Sequence, residues 1–138
     1  VKDGELVALL DKYLKITDGD DHAFYSQYNK VDSIKHVVIA YVDNKPAGCG
    51  AFKEYSTDTV EVKRMYVLPE FRGQGVAKRI LAELERWATE LNYNAFILET
   101  GINQHSAIGL YHKCGYTDIP NYGQYEGVKT SVCMKKMK

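Results

Sequence analysis

The sequence predicts a mixed α/β fold, a sheet with helices on both faces, and three observations predict it. Helix-like and strand-like periods alternate along the chain in the order α-α-β-β-β-α-β-α-β-β. The most regular helical stripe, over residues 75–91, lies between the longest alternating run and a short apolar one. The 138 residues contain no repeat, low-complexity tract or long linker, so a single domain over 1–138 is expected.

Taken in order, Leu6, Val7, Leu10 and Leu14 recur at helical spacing over residues 3–14, with Asp3 able to cap the start. After the acidic stretch Thr17 to Asp21, a short second helix is expected around 21–29, with Phe24 and Tyr28 on one side. His36 to Val42 is β-rich, Asp43 to Pro46 is a turn, and Ala47 to Tyr55 is the returning strand of a hairpin. Ser56 to Asp58 turns the chain into the longest strand, Thr59 to Leu68, which Pro69 ends. In the helix over 75–91, Val76, Ile80, Leu84, Trp87 and Leu91 make one apolar stripe, widened by Ala77, Leu81 and Ala88. Ala95 to Leu98 is a short apolar strand, and Ser106 to Lys113 a helix stopped at Gly115. Tyr116 to Ile119 and Thr130 to Lys136 are the last strands, joined by a loop rich in Gly and Tyr.

Composition narrows the function classes. Lys plus Arg equals Asp plus Glu at 18 each, which argues against nucleic acid as the main partner. Cys49, Cys114 and Cys133 are odd in number and none forms a C-x-x-C pair, so reduced thiols in a cytoplasmic protein are expected. No signal peptide stands out, and no apolar run approaches the ~18 residues of a membrane span. His, Cys and carboxylate residues nowhere cluster at metal-ligand spacing, so no metal is expected.

The segment Arg72-Gly73-Gln74-Gly75-Val76-Ala77 links the longest strand to the strongest helix. A glycine-rich turn there can offer several backbone N–H groups to one anion, and the helix N-terminus adds about half a positive charge. Lys78 and Arg79 follow at once. Cations in a first turn are unfavourable by roughly 0.3–1 kcal/mol each in an isolated helix, and a bound polyanion reverses that sign. A solvated glycine turn explains the same residues. Two nucleotide motifs do not fit: the Walker A lysine is absent, and so is the third glycine of the dinucleotide fingerprint.

These residues resemble the GNAT superfamily of N-acetyltransferases. Its R/Q-x-x-G-x-G/A signature matches Arg72, Gly75 and Ala77, behind a stretch, Met65 to Glu70, that looks like its central strand and following turn. Ala107 to Tyr116 is similar to its A-x-x-L-Y-x-K-x-G-F/Y segment. The resemblance covers at least residues 36–136 and departs from the pattern in two places. The superfamily's first strand would precede Val1, and Gln104, beside Asn103, stands where many members carry Asn.

The resemblance implies a central twisted mixed sheet of about six or seven strands flanked by about four helices, and acetyl-CoA as cosubstrate. The pyrophosphate would lie on Arg72, Gly73, Gln74, Gly75, Val76, Ala77 and Lys78, with Gln104 as a further contact. Pantetheine would enter a gap between residues 62–68 and 95–100, against the backbone of Met65 and Val67. There the Val67 N–H would polarise the thioester carbonyl. Tyr111 matches the general acid that protonates the departing thiolate; half-buried packing is its bland alternative. Glu61 is the first candidate to take the amine's proton, since even spacing would put it on one strand face with Val67. A pairing of Glu61 with Lys63 or a neighbouring strand is the ordinary alternative, and Glu99 or a water chain are other routes.

The acceptor would be a small amine-bearing molecule, an amino acid or a peptide, held between the acidic loop containing Asp18, Asp20, Asp21 and His22 and the loop Pro120 to Glu126. Many members dimerise, so a homodimer is compatible with the resemblance. The competing reading is a non-catalytic acyl-CoA-binding sensor or interaction module of the same fold. In a thermal shift assay with acetyl-CoA, CoA, ATP and NAD, only the CoA species are expected to raise Tm; stabilisation by ATP or NAD alone overturns the assignment.

Overall fold

The computed structural model describes residue 34 and residues 36–138. The helices expected over 3–14 and 21–29, and the acidic stretch between them, lie outside the described residues. The remaining elements form in the expected order: β1 His36–Val42, β2 Lys45–Ser56, β3 Thr59–Val67, α1 Val76–Glu90, β4 Ala95–Gly101, α2 His105–Lys113, β5 Thr117–Ile119 and β6 Ser131–Met137. Two 3-10 turns, Pro69–Phe71 and Gly123–Tyr125, were not expected. The six strands form one mixed sheet in the order β1-β2-β3-β4-β6-β5. By backbone proximity the described chain divides into two compact units, residues up to 53 with 63–84, and residues 54–62 with 85–138.

In the first unit, β1 and β2 form an antiparallel hairpin. The turn is shorter than the expected four residues, because Asp43 and Asn44 both take left-handed φ values of 51° and 65° and reverse the chain in two. Asx side chains tolerate that conformation, and such a pair matches the twist of the flanking strands. Pro46 falls where the register shifts, and such irregularities are where a strand accepts proline. The helix packs through Val76, Ile80, Leu81 and Leu84, all buried. Its approach is set by two glycines of β2. A Cβ on Gly48 would stand 2.6 Å from the Tyr66 carbonyl oxygen, and one on Gly50 2.6 Å from Met65 Sδ and 2.7 Å from Ile80 Cγ2. Within β3, Arg64 is left-handed at φ 56°. A left-handed residue breaks the two-residue period, as a β-bulge does. Strict alternation therefore does not run from Glu61 to Val67, and even spacing does not establish a shared face.

In the second unit, β3 and β4 pair in parallel through Thr59↔Ala95, Val60↔Phe96 and Glu61↔Ile97, and β4 pairs with β6 over its whole length. Phe96, Leu98, Cys133, Met134 and Tyr116 are buried there. The Asp58 carbonyl accepts the N–H groups of Asn94 and Ala95, at 2.7 and 3.1 Å, and so ties the start of β4 to the β2–β3 turn. Of the expected helical stripe, Ala88 is fully buried but Leu91 is 44% exposed. The reason is local: α1 ends at Glu90, and Asn92, left-handed at φ 74°, turns the chain away.

Both glycines of β2 are predicted to resist substitution. Gly48→Ala meets a carbonyl that can move only with its strand, whereas Gly50→Ala meets the ends of flexible side chains. Each should lower stability by ~1–3 kcal/mol, Gly48→Ala more than Gly50→Ala, in urea or thermal unfolding. Equal and negligible losses would refute the close approach.

Candidate active site

In the first unit the site residues gather where β3 ends. The Leu68 N–H reaches the Ala47 carbonyl at 2.8 Å and completes the β2–β3 edge. Pro69–Phe71 then turns the chain, closed by Arg72 N–H to the Pro69 carbonyl at 3.3 Å. Arg72 folds back: its Nε donates to the Val67 carbonyl at 2.9 Å, and its guanidinium lies 5.5 Å from the Tyr66 ring centre. Part of the donor set expected on phosphate is thus holding the loop, and Gln74 likewise donates to the Glu70 carbonyl at 3.5 Å.

Gly73 and Gly75 have φ values of 79° and 78°. Among the described residues a Cβ on either would meet nothing within 4 Å. Left-handed backbone therefore selects glycine at these two positions, and no described residue crowds the space over them. The helical ladder starts with Arg79 N–H to the Gly75 carbonyl at 3.2 Å. Helix geometry leaves the N–H groups of Val76, Ala77 and Lys78 without an intrahelical acceptor. Val76 is buried and anchors the start of the helix, while Lys78 and Arg79 are exposed and the first turn contains no acidic residue. The arrangement can bind an anion through backbone donors, the helix dipole and two cations. Met65 and Val67 lie half-buried in the last residues of β3.

Tyr111, Glu61, Glu99 and Gln104 belong to the second unit. Tyr111 is the buried residue of α2, with only 7% of its surface exposed, so it is more deeply enclosed than half-buried packing. Its ring stands edge-on to Tyr116 at 5.9 Å. Burial pushes its phenol up to about 12, with the neighbouring charges of Cys114 and Glu99 adding to the effect. Gln104 is exposed at the start of α2, where its carbonyl accepts the Ile108 N–H at 2.9 Å.

Glu61 is 3% exposed, and its Oε2 accepts the Tyr122 hydroxyl at 2.6 Å. That partner lies 61 residues away, in the loop expected to line the acceptor. Tyr122 is edge-on to both Tyr125 and Tyr55. Burial raises the Tyr122 phenol, and the Glu61 charge and hydrogen bond raise it further. Tyr125 is raised by burial and then by the charges of Glu99 and Glu61. Glu99 accepts the Ser131 hydroxyl at 2.6 Å. Asn121 donates to the carbonyls of Val128 and Ser131, at 3.0 and 3.2 Å, and folds the loop onto β6. Neither Tyr122 nor Ser131 could be singled out from the sequence, because the partners of both are distant in the chain. The only signal was the crowding of tyrosines in one loop.

Residues 5–116 match the model of the acetyltransferase (GNAT) family, a span that contains the glycine turn, Glu61 and Tyr111. The chain belongs to the acetyltransferase (GNAT) family. It is an acetyl-CoA-dependent N-acetyltransferase, the activity that its resemblance implied. The chain is 34% identical over 142 residues to an IAA acetyltransferase of Azospirillum brasilense, covering 96% of this chain and 88% of that one. A Klebsiella pneumoniae structure described as an acyl-CoA N-acyltransferase superposes with a TM-score of 0.79 at 31% identity, over 99% of this chain and 91% of the other. A Bacillus anthracis structure described as a streptothricin acetyltransferase in complex with acetyl coenzyme A has a TM-score of 0.63 at 26% identity, over 80% of this chain and 65% of that one. Among the described residues no group of three His, Cys, Asp or Glu is placed to hold a metal ion, and no helix is long and apolar enough to cross a membrane.

The Tyr111 phenol makes the stability of this acetyltransferase sensitive to alkali. Its folded value near 12 exceeds the unfolded value of about 10, so folding retains a proton that the unfolded chain loses between those limits. The contribution is whole below about pH 10 and disappears as pH rises toward 12, a loss of ~3 kcal/mol. Tyr116, Tyr122 and Tyr125 are shifted the same way and steepen the decline. Urea midpoints measured from about pH 8 to 11 should fall for the native chain and fall less for Tyr111→Phe; equal slopes would contradict the burial of this phenol.

Proposed function

We propose that the enzyme moves the acetyl group of acetyl-CoA to a primary amine by direct attack within a ternary complex. The single observation that carries the cofactor half of this reading is the left-handed Gly73–Gly75 turn at the start of α1, which no described residue crowds. Its backbone donors, with Arg72, Gln74 and Lys78 around them, suit a pyrophosphate. Pantetheine would follow the backbone of Met65 and Val67, and Gln104 would make a further cofactor contact. The domain reading remains one acetyltransferase domain over 1–138, and buried free thiols at Cys49 and Cys133 support a reducing, cytoplasmic setting.

In the proposed reaction the neutral amine attacks the thioester carbon, and the carbonyl becomes an oxyanion that accepts a hydrogen bond from the Val67 N–H. Such a donor typically contributes ~3–4 kcal/mol to the barrier. Glu61 takes the first proton, from the arriving ammonium, and so makes the amine neutral; the second, left on nitrogen by the attack, restores the Tyr111 phenol after sulfur has been protonated. The intermediate then collapses, the carbon–sulfur bond breaks, and Tyr111 meets the departing thiolate. A phenol near 12 lies ~3.5 above a thiol of about 8.5, so complete transfer would cost roughly 5 kcal/mol. Burial therefore favours Tyr111 as a hydrogen-bond donor whose proton moves late, as charge gathers on sulfur.

The acceptor reading rests on the second unit. An amine arriving as ammonium is suited by the buried Glu61 carboxylate, by Glu99, and by the ring faces of Tyr122 and Tyr125. This favours a cationic acceptor over a carboxylate-rich one.

Thiol release from acetyl-CoA with a panel of primary amines tests the assignment. Glu61→Gln should lower turnover by roughly 10²–10⁴-fold and Tyr111→Phe by a similar order, both with acetyl-CoA binding preserved. Undiminished turnover in either variant removes that residue from its role.

A further inference from the structure

Beside Tyr111 lies a polar network that the reaction does not use. Tyr116 is 2% exposed, yet it carries a hydroxyl where phenylalanine would fill the same space. That hydroxyl donates to Glu85 Oε2 at 2.8 Å. The other oxygen, Oε1, accepts from Lys136 Nζ at 2.8 Å. Both charged side chains are well enclosed, at 15% exposure for Glu85 and 29% for Lys136. The Lys136 ammonium also sits 5.8 Å from the centre of the Tyr116 ring. Its stem crosses Gly115, where a Cβ would approach Lys136 Cε to 3.4 Å. Three elements therefore clamp one ring: Glu85 from α1, Lys136 from β6, and the turn after α2.

The clamped ring is the wall against which Tyr111 rests. The two rings meet edge to face at 5.9 Å, and the Tyr116 N–H donates to the Tyr111 carbonyl at 3.0 Å. A tyrosine has two side-chain torsions; the helix narrows the first to two wells and leaves the second broad. A hydroxyl that must meet a departing sulfur needs both fixed, because small misplacements reduce rate steeply. Packing against a mobile ring would leave the Tyr111 hydroxyl sweeping over a range of positions. A ring tied at its own hydroxyl does not allow this.

We propose that Tyr116 and Glu85 are positioning residues, which fix the rotamer of Tyr111 through the Tyr116–Glu85–Lys136 network and so support kcat. The inference rests on the reading of Tyr111 as the group that meets the leaving thiolate.

Four variants test it by thiol release from acetyl-CoA with the best amine of a panel, each first checked for native circular dichroism. Tyr116→Phe keeps the ring and loses the tie; kcat should fall roughly 10-fold, with the acetyl-CoA KM unchanged within about twofold. Glu85→Leu removes the acceptor of the Tyr116 proton and should lower kcat by about the same factor with the acetyl-CoA KM unchanged; native kcat in this variant overturns the part given to Glu85. Tyr111→Phe and the double variant Tyr111→Phe/Tyr116→Phe complete a cycle: if Tyr116 acts through the Tyr111 hydroxyl, the second change adds nothing. A double variant slower than Tyr111→Phe by the full Tyr116→Phe factor overturns the positioning role and leaves Tyr111 in place. So does unchanged kcat in Tyr116→Phe. A Tyr111→Phe enzyme with native turnover removes the leaving-group reading itself, and the positioning role with it.

Discussion

The close approach of α1 to β2 is the constraint on which the glycine turn and the start of α1 depend. Gly48 and Gly50 present no side chain, so Ile80 and Leu84 lie almost against the strand backbone. That contact fixes the axis of α1, and with it the direction of the N–H groups of Val76, Ala77 and Lys78. The proposed role of these groups, as donors to a pyrophosphate, requires an array that is already aimed, because aiming it on binding would consume the interaction energy. The same rigidity reaches the preceding turn through the Leu68–Ala47 hydrogen bond and through the arginine that folds back on Val67.

The second unit is organised instead by carboxylates that are buried, as Glu61 is, or half-buried, as Glu85 and Glu99 are. An ionised carboxyl removed from water costs several kcal/mol unless hydrogen bonds replace the lost hydration. Glu61 receives such a bond from Tyr122, Glu99 from Ser131, and Glu85 from Tyr116 and Lys136. Each bond to a charged group is worth ~1.5–3 kcal/mol, and each also fixes the orientation of an aromatic ring or a strand end. The consequence for the tyrosines is uniform. Burial and a nearby negative charge keep them protonated far into alkali, so they can donate hydrogen bonds at any working pH.

Legibility followed the range of the interaction. The elements beyond residue 36 could be anticipated because periodicity is local: β1 has the expected bounds, α1 is a residue shorter at each end, and α2 starts a residue earlier. The glycine turn was legible because its conformation is demanded by residue type. The helical stripe failed at Leu91, where a left-handed Asn92 outweighed the pattern. The alternation through β3 failed at Arg64, a residue type that gives no warning of a left-handed backbone. Gly48 and Gly50 could have been suspected, since glycines inside a strand often mark close approach.

By itself the sequence determined the fold class and, through two motifs that resemble those of known acetyltransferases, the family; it also offered the candidate site residues. The fold class follows from local period, residue type and spacing, which need no partner. Only the tertiary structure decided what each of those residues touches. That Glu61 lies under Tyr122, or that Tyr111 leans on a ring tied to Glu85, depends on which distant segments pack together. A side chain's charge state and orientation come from that packing and from the water it excludes.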